Sequence, residues 1–418
     1  MRVTIHPSAL SGAVDAIPSK SDVHRLLVCS MLADRPVRIA CPGTSRDIEA
    51  TKRCLRAMGA RIDDVARGMV VHPLEAPTAS PELDCGESGS TLRFLVPMVS
   101  LLCGSGSFVG HGRLPGRPIV DLQLAMAGNG VRFSSRGLPF SFEGRLRPGV
   151  YRLPGDVSSQ YVSALLMALP ALDDNSVVDL TTPLESQSYV DITRAVLRRF
   201  GVRVGEPENQ RYFVAGGQAN VSPGEVGAAG DWSNAACVLA AGALGDGTCV
   251  RGLDASSPQG DRKVAELLRR FGADVEYAAA GVSVRPGELR ACRVDLSDMP
   301  DLLPVLAVVA TAARGRTDFV HAARLRLKES DRLSATANLL RDLGGVVTEH
   351  PDGLSVEGGP LEGGVVDVCN DHRLVMAAAL AATRCSGPVT FDGAEAIEKS
   401  YPTFFEDYEM LGGRVDVI

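Results

Sequence analysis

A pattern that recurs about every 70 residues constrains the fold of this 418-residue chain more than any other feature. In each copy a leucine or tyrosine is followed four residues later by glycine, and valine or isoleucine comes three residues after that. The six glycines are Gly59, Gly128, Gly201, Gly272, Gly344 and Gly412. The pattern is typical of a helix that ends at a left-handed glycine before a strand begins. Six copies at a near-constant spacing indicate a repeated structural unit.

Two helices are predicted in each unit. Polar clusters before strongly apolar segments are marked by Lys20, Ser90, Ser159, Trp232, Asp301 and His372. A second series follows each marker after 27 to 30 residues and consists of Asp47, Arg117, Tyr189, Asp261, Glu329 and Lys399. With the strand-like segments between them, each unit is predicted to be β-α-β-α-β-β. Because the first helix of each unit is apolar nearly all round, we expect it to be buried.

Length and composition exclude some classes of protein. A chain of 418 residues favours two domains. The ten cysteines form no C-x-x-C pair and have no metal-ligand spacing, which predicts free thiols in the cytoplasm. The first residues do not resemble a signal peptide, and the longest apolar runs are too short to cross a bilayer. A net charge of −7 argues against broad nucleic-acid binding.

Basic residues crowd near the starts of the predicted helices, where a cation opposes the helix dipole. They are Lys20, Arg25, Arg93, Arg117, Lys328, Arg332, Arg373 and Lys399. We therefore expect an anionic ligand to compensate these charges. Asp301 and Glu329 lie in the same segments and could act as base and acid, or could only form ion pairs with the arginines. Only five of the 43 basic residues are lysine, and we expect chance to account for Lys52 and Lys263.

Eight short motifs, in their order and spacing, resemble the 5-enolpyruvylshikimate-3-phosphate synthase (3-phosphoshikimate 1-carboxyvinyltransferase) family over nearly the whole chain. They lie at residues 17–25, 85–93, 117–119, 156–161, 299–301, 327–333, 370–373 and 399–402. Among them are Ser-Ser-Gln at 158–160 and Lys-Glu-Ser-Asp-Arg at 328–332. His24 is a departure, because the family commonly has asparagine there.

The resemblance implies the enolpyruvyl transferase fold, a two-domain inside-out α/β barrel built from six β-α-β-α-β-β repeats. We expect residues 1–17 plus 231–418 to form a C-terminal-type domain and residues 18–230 an N-terminal-type domain, with three repeats each. The implied reaction transfers the enolpyruvyl group of phosphoenolpyruvate to the 5-hydroxyl of shikimate 3-phosphate and releases phosphate. No metal or organic cofactor is implied. We expect a cytoplasmic monomer that works on these two small molecules, with no nucleic-acid or membrane partner.

The resemblance also implies roles for individual residues. Asp301 is expected to take the hydroxyl proton, and Glu329 with Lys20 to act as the acid/base pair at C3 of phosphoenolpyruvate. The implied shikimate 3-phosphate contacts are Lys20, Ser21, Arg25, Ser158, Ser159, Gln160, Ser186, Tyr189, Asp301 and Lys328. The implied phosphoenolpyruvate contacts are Lys20, Gly89, Arg117, Gln160, Arg332, Arg373 and Lys399.

Three alternatives stay open. The nearest is the related enolpyruvyl transferase that acts on UDP-N-acetylglucosamine, which carries a reactive cysteine before its Arg-Pro motif. Residues 110–117 contain no cysteine, and the Ser-Ser-Gln motif favours the shikimate enzyme. The second alternative is a non-catalytic anion-binding protein on the same scaffold, although Lys20, Asp301 and Glu329 are all present. The third is an RNA-end-processing relative, which the acidic charge balance disfavours.

Overall fold

The protein is described by a computed structural model over residues 1–279 and 281–417, and its chain divides into two compact units. The C-terminal unit comprises Met1–Ile17 and Ala229–Ile418, and the N-terminal unit comprises Pro18–Ala228. The boundaries fall between Ile17 and Pro18 and, in the segment Gly227-Ala228-Ala229-Gly230, between Ala228 and Ala229.

The described residues contain twelve α-helices, two in each repeat. In the N-terminal unit they are α1 (Lys20–Met31), α2 (Arg46–Ala57), α3 (Gly89–Leu102), α4 (Val120–Ala127), α5 (Ser159–Ala168) and α6 (Gln187–Arg199). In the C-terminal unit they are α7 (Trp232–Leu244), α8 (Val264–Phe271), α9 (Leu303–Ala312), α10 (Arg332–Asp342), α11 (His372–Ala382) and α12 (Phe404–Met410). Each predicted polar marker lies at or just before the start of the first helix of its repeat or within its first turn, so both helix series are confirmed.

In the described part of the chain the strands form six small sheets, three in each unit. The strands before residue 229 are β1 (Arg2–His6), β2 (Gly12–Asp15), β3 (Val37–Ala40), β4 (Ile62–Val65), β5 (Gly68–Val71), β6 (Glu82–Asp84), β7 (Ser105–Val109), β8 (Arg132–Phe133), β9 (Phe140–Glu143), β10 (Val150–Leu153), β11 (Ser176–Leu180), β12 (Arg211–Val214) and β13 (Glu225–Gly227). The later strands are β14 (Thr248–Arg251), β15 (Asp274–Ala278), β16 (Gly281–Arg285), β17 (Arg293–Asp295), β18 (Arg316–Val320), β19 (Val347–His350), β20 (Gly353–Glu357), β21 (Gly364–Val365), β22 (Val389–Asp392) and β23 (Arg414–Val417).

The sheet orders follow the repeat. In the N-terminal unit they are β13-β3-β5-β4, β6-β7-β9-β8 and β10-β11-β12. In the C-terminal unit they are β15-β16-β14-β2, β17-β18-β20-β19 and β21-β22-β1-β23. Each sheet has one parallel pair, and in four sheets a helix connects that pair, as α3 connects β6 to β7. The predicted fold class is thereby confirmed. The predicted four strands per repeat are present in five sheets, whereas the sheet β10-β11-β12 has three strands among the described residues.

Next to the two points where the chain passes from one unit to the other, a strand pairs within its own unit with a strand that is distant in sequence. Strand β2 precedes α1 in sequence, yet it pairs in parallel with β14 in the C-terminal unit. Strand β13 precedes α7, yet it pairs in parallel with β3 in the N-terminal unit. Strand β1 pairs with β22 and β23 and so completes the last repeat. The first strand of the chain therefore belongs with its C-terminal half.

Each unit has its own apolar core, built around the first helices of its repeats. In the C-terminal unit α7, α9 and α11 pack against one another, and every residue of α11 is buried. In the N-terminal unit α3 packs on α5, and α1 packs on α6. The expected burial of these all-apolar helices is confirmed. No helix in the described residues is long and apolar enough to cross a membrane.

The repeated glycine behaves as predicted in five of the six repeats. Gly59, Gly201, Gly272, Gly344 and Gly412 have φ values between 78° and 115°, which favour glycine. The prediction is wrong for Gly128, whose φ is −61°. There Gly130, with φ 97°, makes the left-handed turn two residues later. The sequence pattern located the end of the helix but not the residue that reverses the chain.

Candidate active site

Within the C-terminal unit the predicted site residues sit at the starts of helices. Asp301 lies in the single 3₁₀ turn Pro300–Leu302 that leads into α9. Arg332 is the first residue of α10, and Lys328 and Glu329 lie in the segment just before it. Arg373 is in the first turn of α11, and Lys399 ends the 3₁₀ helix Ala394–Lys399. Equivalent positions of successive repeats thus lie in one cluster within the C-terminal unit.

Arg332 is the centre of this cluster and is almost completely buried. Its Nη1 donates to Asp301 Oδ1 at 2.7 Å, and its Nη2 donates to Glu329 Oε2 at 2.8 Å. Nε and Nη2 also donate to the two oxygens of Asp371, at 2.7 and 3.1 Å. One guanidinium therefore holds three carboxylates, including both predicted proton-transfer groups. Charge-assisted bonds of this kind are short and fix the geometry.

The Asp301 carboxylate is shared between two cations. Lys328 Nζ donates to Asp301 Oδ1 at 3.1 Å, on the same oxygen that Arg332 contacts. Burial alone would raise the pKa of Asp301, but the charges of Lys328, Arg332 and Arg373 hold it well below its usual range. Burial lowers the pKa of Lys328, and Asp301 acts against that effect. Asp301 is therefore ionised at neutral pH.

Arg373 and Lys399 each donate to a backbone carbonyl. Arg373 Nη1 donates to the carbonyl of Ser233 at 2.6 Å, and Nη2 donates to the Ser233 hydroxyl. Lys399 Nζ donates to the carbonyl of Asn370 at 2.7 Å. A carbonyl is a weaker partner for a cation than a carboxylate. Neither of these carbonyls carries a charge that would neutralise the cation it binds.

In the N-terminal unit, the α1 residues Lys20 and Arg25 have different hydrogen-bond partners. Lys20 Nζ donates to Asp47 Oδ2 at 2.7 Å. Arg25 is buried, and it donates to Thr193 Oγ1 at 2.6 Å and to the carbonyls of Ser21 and Tyr189 at 2.5 and 3.0 Å. Burial lowers the pKa of Arg25 to about 10. The structure thus gives Arg25 a role in joining α1 to α6, and its predicted contact with a phosphate stays a prediction.

Gly89 lies where the backbone approaches two arginines. A Cβ atom at residue 89 would lie 2.7 Å from Arg93 Nη1 and 2.9 Å from Arg117 Cζ. Arg93 Nη1 donates to Gln160 Oε1 at 2.7 Å, and Gln160 Nε2 donates to Ser90 Oγ at 2.9 Å. The structure therefore brings the predicted phosphoenolpyruvate contacts Gly89, Arg117 and Gln160 together in this unit.

The remaining predicted residues of the N-terminal unit lie at the starts of α1, α5 and α6. Ser158 caps α5 by accepting from the Gln160 backbone N–H, and Ser159 is the buried first residue of that helix. Ser186 is the residue directly before α6, and its backbone is left-handed with φ 53°. Ser21 and Tyr189 are half-buried, in the first turns of α1 and α6.

His24 belongs to the interior rather than to the rim of a ligand site. Its side chain is fully buried, and Nδ1 shares a hydrogen bond of 2.7 Å with Thr51 Oγ1. Thr51 continues to Thr91, and Thr91 to Ser88, each at 2.7 Å. Burial, followed by the charges of Lys20 and Arg25, lowers the pKa of His24 well below its ordinary value. A neutral imidazole therefore ends a chain of hydroxyls that connects α1, α2 and α3.

One expectation about charge is wrong in part. We expected the cations near the helix starts to need an anionic ligand, but the protein supplies carboxylates to several of them, namely Asp47, Asp301, Glu329 and Asp371. Chance also does not account for Lys52, which is buried and pairs with Glu49 and Asp64 at 2.8 and 2.6 Å.

Sequence reasoning missed the roles of two residues that build the site. Asp371 is the buried partner of Arg332, and it also accepts from the Arg373 backbone N–H. Arg93 was noted only as a basic residue, although it orients Gln160. A signal existed for Asp371, because it lies in the motif at 370–373 as a predicted helix cap.

A family model described as EPSP synthase (3-phosphoshikimate 1-carboxyvinyltransferase) matches residues 5–408. The chain is also 39% identical to the 3-phosphoshikimate 1-carboxyvinyltransferase of Clostridium kluyveri, over 99% of this chain and 98% of the relative. This chain belongs to the EPSP synthase family. The predicted family and enzyme class are thereby confirmed.

Solved structures of EPSP synthases have the same fold. An EPSP synthase from Acinetobacter baumannii, 28% identical, matches with a TM-score of 0.82 and covers 100% of both chains. The enolpyruvyl transferase NikO from Streptomyces tendae matches with a TM-score of 0.80 at 21% identity, over 99% of this chain and 98% of that chain. The second likeness concerns the fold alone. Together these matches agree with the predicted enolpyruvyl transferase fold.

Proposed function

We propose that Asp301 and Glu329 carry the proton transfers of EPSP synthesis in this chain, in which the enolpyruvyl group of phosphoenolpyruvate moves to the 5-hydroxyl of shikimate 3-phosphate. The observation that carries the proposal is that one buried guanidinium, Arg332, binds both carboxylates at 2.7 and 2.8 Å. A general base and a general acid must be held in a fixed relation to the reacting atoms, and a shared arginine does this.

Asp301 is the proposed base for the 5-hydroxyl. It is ionised, since the charges of Lys328 and Arg332 hold its pKa well below its usual range against the effect of burial. As the hydroxyl oxygen attacks C2 of phosphoenolpyruvate, its proton passes to the carboxylate. Glu329 is the proposed group that delivers a proton to C3 and later removes one when phosphate leaves. Its carboxylate is mostly shielded from solvent and bound to Arg332.

The binding roles divide by chemistry. Phosphoenolpyruvate is an anion, and Arg332, Arg373 and Lys399 are proposed to contact it from the C-terminal unit. Of these, Arg373 and Lys399 each donate to a backbone carbonyl, a neutral acceptor with which a substrate anion can compete. Lys328, with its ammonium on Asp301, is proposed to contact shikimate 3-phosphate.

The proposed roles in the N-terminal unit rest on its own local geometry. Gly89, Arg117 and Gln160 are adjacent there, in support of their assignment to phosphoenolpyruvate. Lys20, held by Asp47, is proposed for proton transfer and for both substrates. The proposed shikimate 3-phosphate contacts are Ser21, Arg25, Ser158, Ser159, Gln160, Ser186 and Tyr189. We further propose that the chain acts as a cytoplasmic monomer.

Phosphate release from phosphoenolpyruvate tests the proposal, with shikimate 3-phosphate or UDP-N-acetylglucosamine as acceptor. We expect release only with shikimate 3-phosphate, and a fall in kcat of about 10²–10⁴-fold for Asp301→Ala. Asp295→Ala is the matched control, because Asp295 is an exposed aspartate of the same unit that pairs with His321 at 2.9 Å. Release with the nucleotide sugar would disprove the acceptor assignment. Equal activity of the two variants would disprove the role of Asp301.

A further inference from the structure

A buried aspartate near the cluster has no role in the proposed reaction. Asp261 lies in the 3₁₀ helix Gly260–Lys263 and is only 4% exposed. Its Oδ1 has no hydrogen-bond partner within the described residues. Gln259, two residues before Asp261, accepts a hydrogen bond from the Trp232 N–H at 3.1 Å and donates one to the Gly230 carbonyl at 2.8 Å. These bonds fix the segment to the start of α7. The carboxyl is therefore held in place with one oxygen that has no hydrogen-bond partner, which costs free energy.

Ser233 connects Asp261 to the predicted phosphoenolpyruvate contact Arg373. The Ser233 side chain interacts with the Asp261 carboxyl and favours its ionised form. The same residue accepts from Arg373 twice, through its carbonyl at 2.6 Å and through its hydroxyl. Because the hydroxyl oxygen accepts from the guanidinium, its own proton is free to point at the carboxylate.

The charges around Asp261 come from three neighbouring elements. Burial is the largest influence and raises the pKa of Asp261 to about 7. The charge of Asp301, before α9, and that of Asp231, at the start of α7, also raise it. Arg373, on α11, lowers it. On its own 3₁₀ helix, Lys263 is turned to Asp298 at 3.0 Å. The state of Asp261 is therefore linked most directly to Arg373 and Asp301.

We propose that Asp261 is a positioning residue whose protonation state sets how firmly the protein holds Arg373, and so how strongly Arg373 binds phosphoenolpyruvate. The inference rests on the proposed function, in which Arg373 contacts that substrate. An ionised Asp261 attracts the guanidinium and orients Ser233 to accept from it. A protonated Asp261 carries no charge that competes for Arg373, so Arg373 binds the substrate anion more strongly. Binding of phosphoenolpyruvate therefore takes up a proton at Asp261.

The test compares wild type, Asp261→Asn and Asp298→Asn between pH 6 and 8.5. Asparagine imitates the protonated carboxyl, and Asp298→Asn removes a charge nearby on a group that pairs with Lys263. KM for phosphoenolpyruvate and kcat are measured at saturating shikimate 3-phosphate. The dissociation constant of phosphoenolpyruvate is measured from the fluorescence of Trp232, the only tryptophan of the chain. Comparing variants at each pH cancels the titration of the substrates themselves.

We expect the KM of wild type, divided by that of Asp261→Asn, to rise about 3- to 10-fold from pH 6 to 8.5, since a shift of one pKa unit on binding is worth tenfold. The same ratio for Asp298→Asn should stay flat. A purely structural role of Asp261 would change KM by the same factor at every pH, and a flat ratio for Asp261→Asn would overturn the inference. Lack of phosphate release by wild type, with the binding ratio still rising, would overturn the proposed function alone. Absence of any phosphoenolpyruvate binding would overturn both.

Discussion

Replacing Asp371 with asparagine tests how the protein holds Arg332. Asp371 is fully buried and accepts from Arg332 Nε at 2.7 Å and Nη2 at 3.1 Å, and from Ser330 Oγ at 2.8 Å. It also caps α11 through the Arg373 N–H. Asparagine keeps an oxygen for the cap but removes the charge. Hydrogen bonds to charged groups contribute about 1.5–3 kcal/mol each, and breaking a buried ion pair costs about 3–5 kcal/mol. Because one acceptor oxygen survives, we expect Asp371→Asn to lower the free energy of unfolding by about 2–4 kcal/mol.

The matched control is the same substitution at a more exposed aspartate, Asp331→Asn. Asp331 caps α10 by accepting from the Ser334 N–H at 3.1 Å, and it pairs with Arg326 at 3.0 Å. Its side chain is 36% exposed, so the ion pair is worth at most about 1 kcal/mol. Urea unfolding followed by Trp232 fluorescence measures both variants in the same unit, because Trp232 is buried at the start of α7. With a slope of about 2–3 kcal/mol per molar urea, Asp371→Asn should lower the midpoint by about 0.7–2 M. Similar shifts for the two variants would refute the argument that burial of the Arg332 cluster sets the cost.

Three further outcomes follow from the same geometry. Glu329→Gln should lower kcat at least about 100-fold with little change in KM for either substrate, and a preserved steady-state rate of phosphate release would contradict its role. Gly89→Ala should raise KM for phosphoenolpyruvate about tenfold or more with little loss of stability, since the new Cβ would lie 2.9 Å from Arg117; an unchanged KM would show that Arg117 does not contact this substrate. His24 has a lowered folded-state pKa, so wild-type stability should fall as the pH drops below about 6.5, the pKa of an unfolded histidine. Calorimetry of His24→Asn should show a weaker loss from pH 7 to 5, and an equal loss would exclude His24 as its source.

The repeat made most of the fold predictable from the sequence. Two signals recur in the sequence, a glycine after one helix and a polar cluster before the next. They recur because each repeat begins and ends its helices in the same way. The pattern failed where two nearby glycines could each make the left-handed turn. The pattern pointed to Gly128, but Gly130 makes the turn. The periodic pattern by itself does not pair β2 with β14 or β13 with β3, because pairing between distant strands leaves no periodic signal. The expectation that residues 1–17 join the C-terminal half came from the family resemblance.

The candidate site was predictable in its cations and only partly in its anions. Helix starts rich in Lys and Arg stand out because they oppose the dipole. Their partners, Asp371 and Asp47, look like ordinary helix-start residues in the sequence, and only the structure shows which cation each one binds. His24 was judged from its position in a motif, whereas its role follows from full burial beside Thr51.

Ion pairing and proton transfer are compatible roles for Asp301. In the absence of substrate, Arg332 and Lys328 stabilise its charge, so that its lowered pKa makes it a weak base. On the proposed mechanism, the anion of phosphoenolpyruvate binds Arg332 and competes with Asp301 for that cation. Each unit by which the pKa of Asp301 then rises makes proton removal from the hydroxyl about 1.4 kcal/mol more favourable. The carboxylates that hold the cations before binding are thus strengthened as bases by the event that requires them. A base on a separate, unshared site would gain nothing from the binding of phosphoenolpyruvate, which gives a physical reason for placing Asp301 and the substrate anion on one arginine.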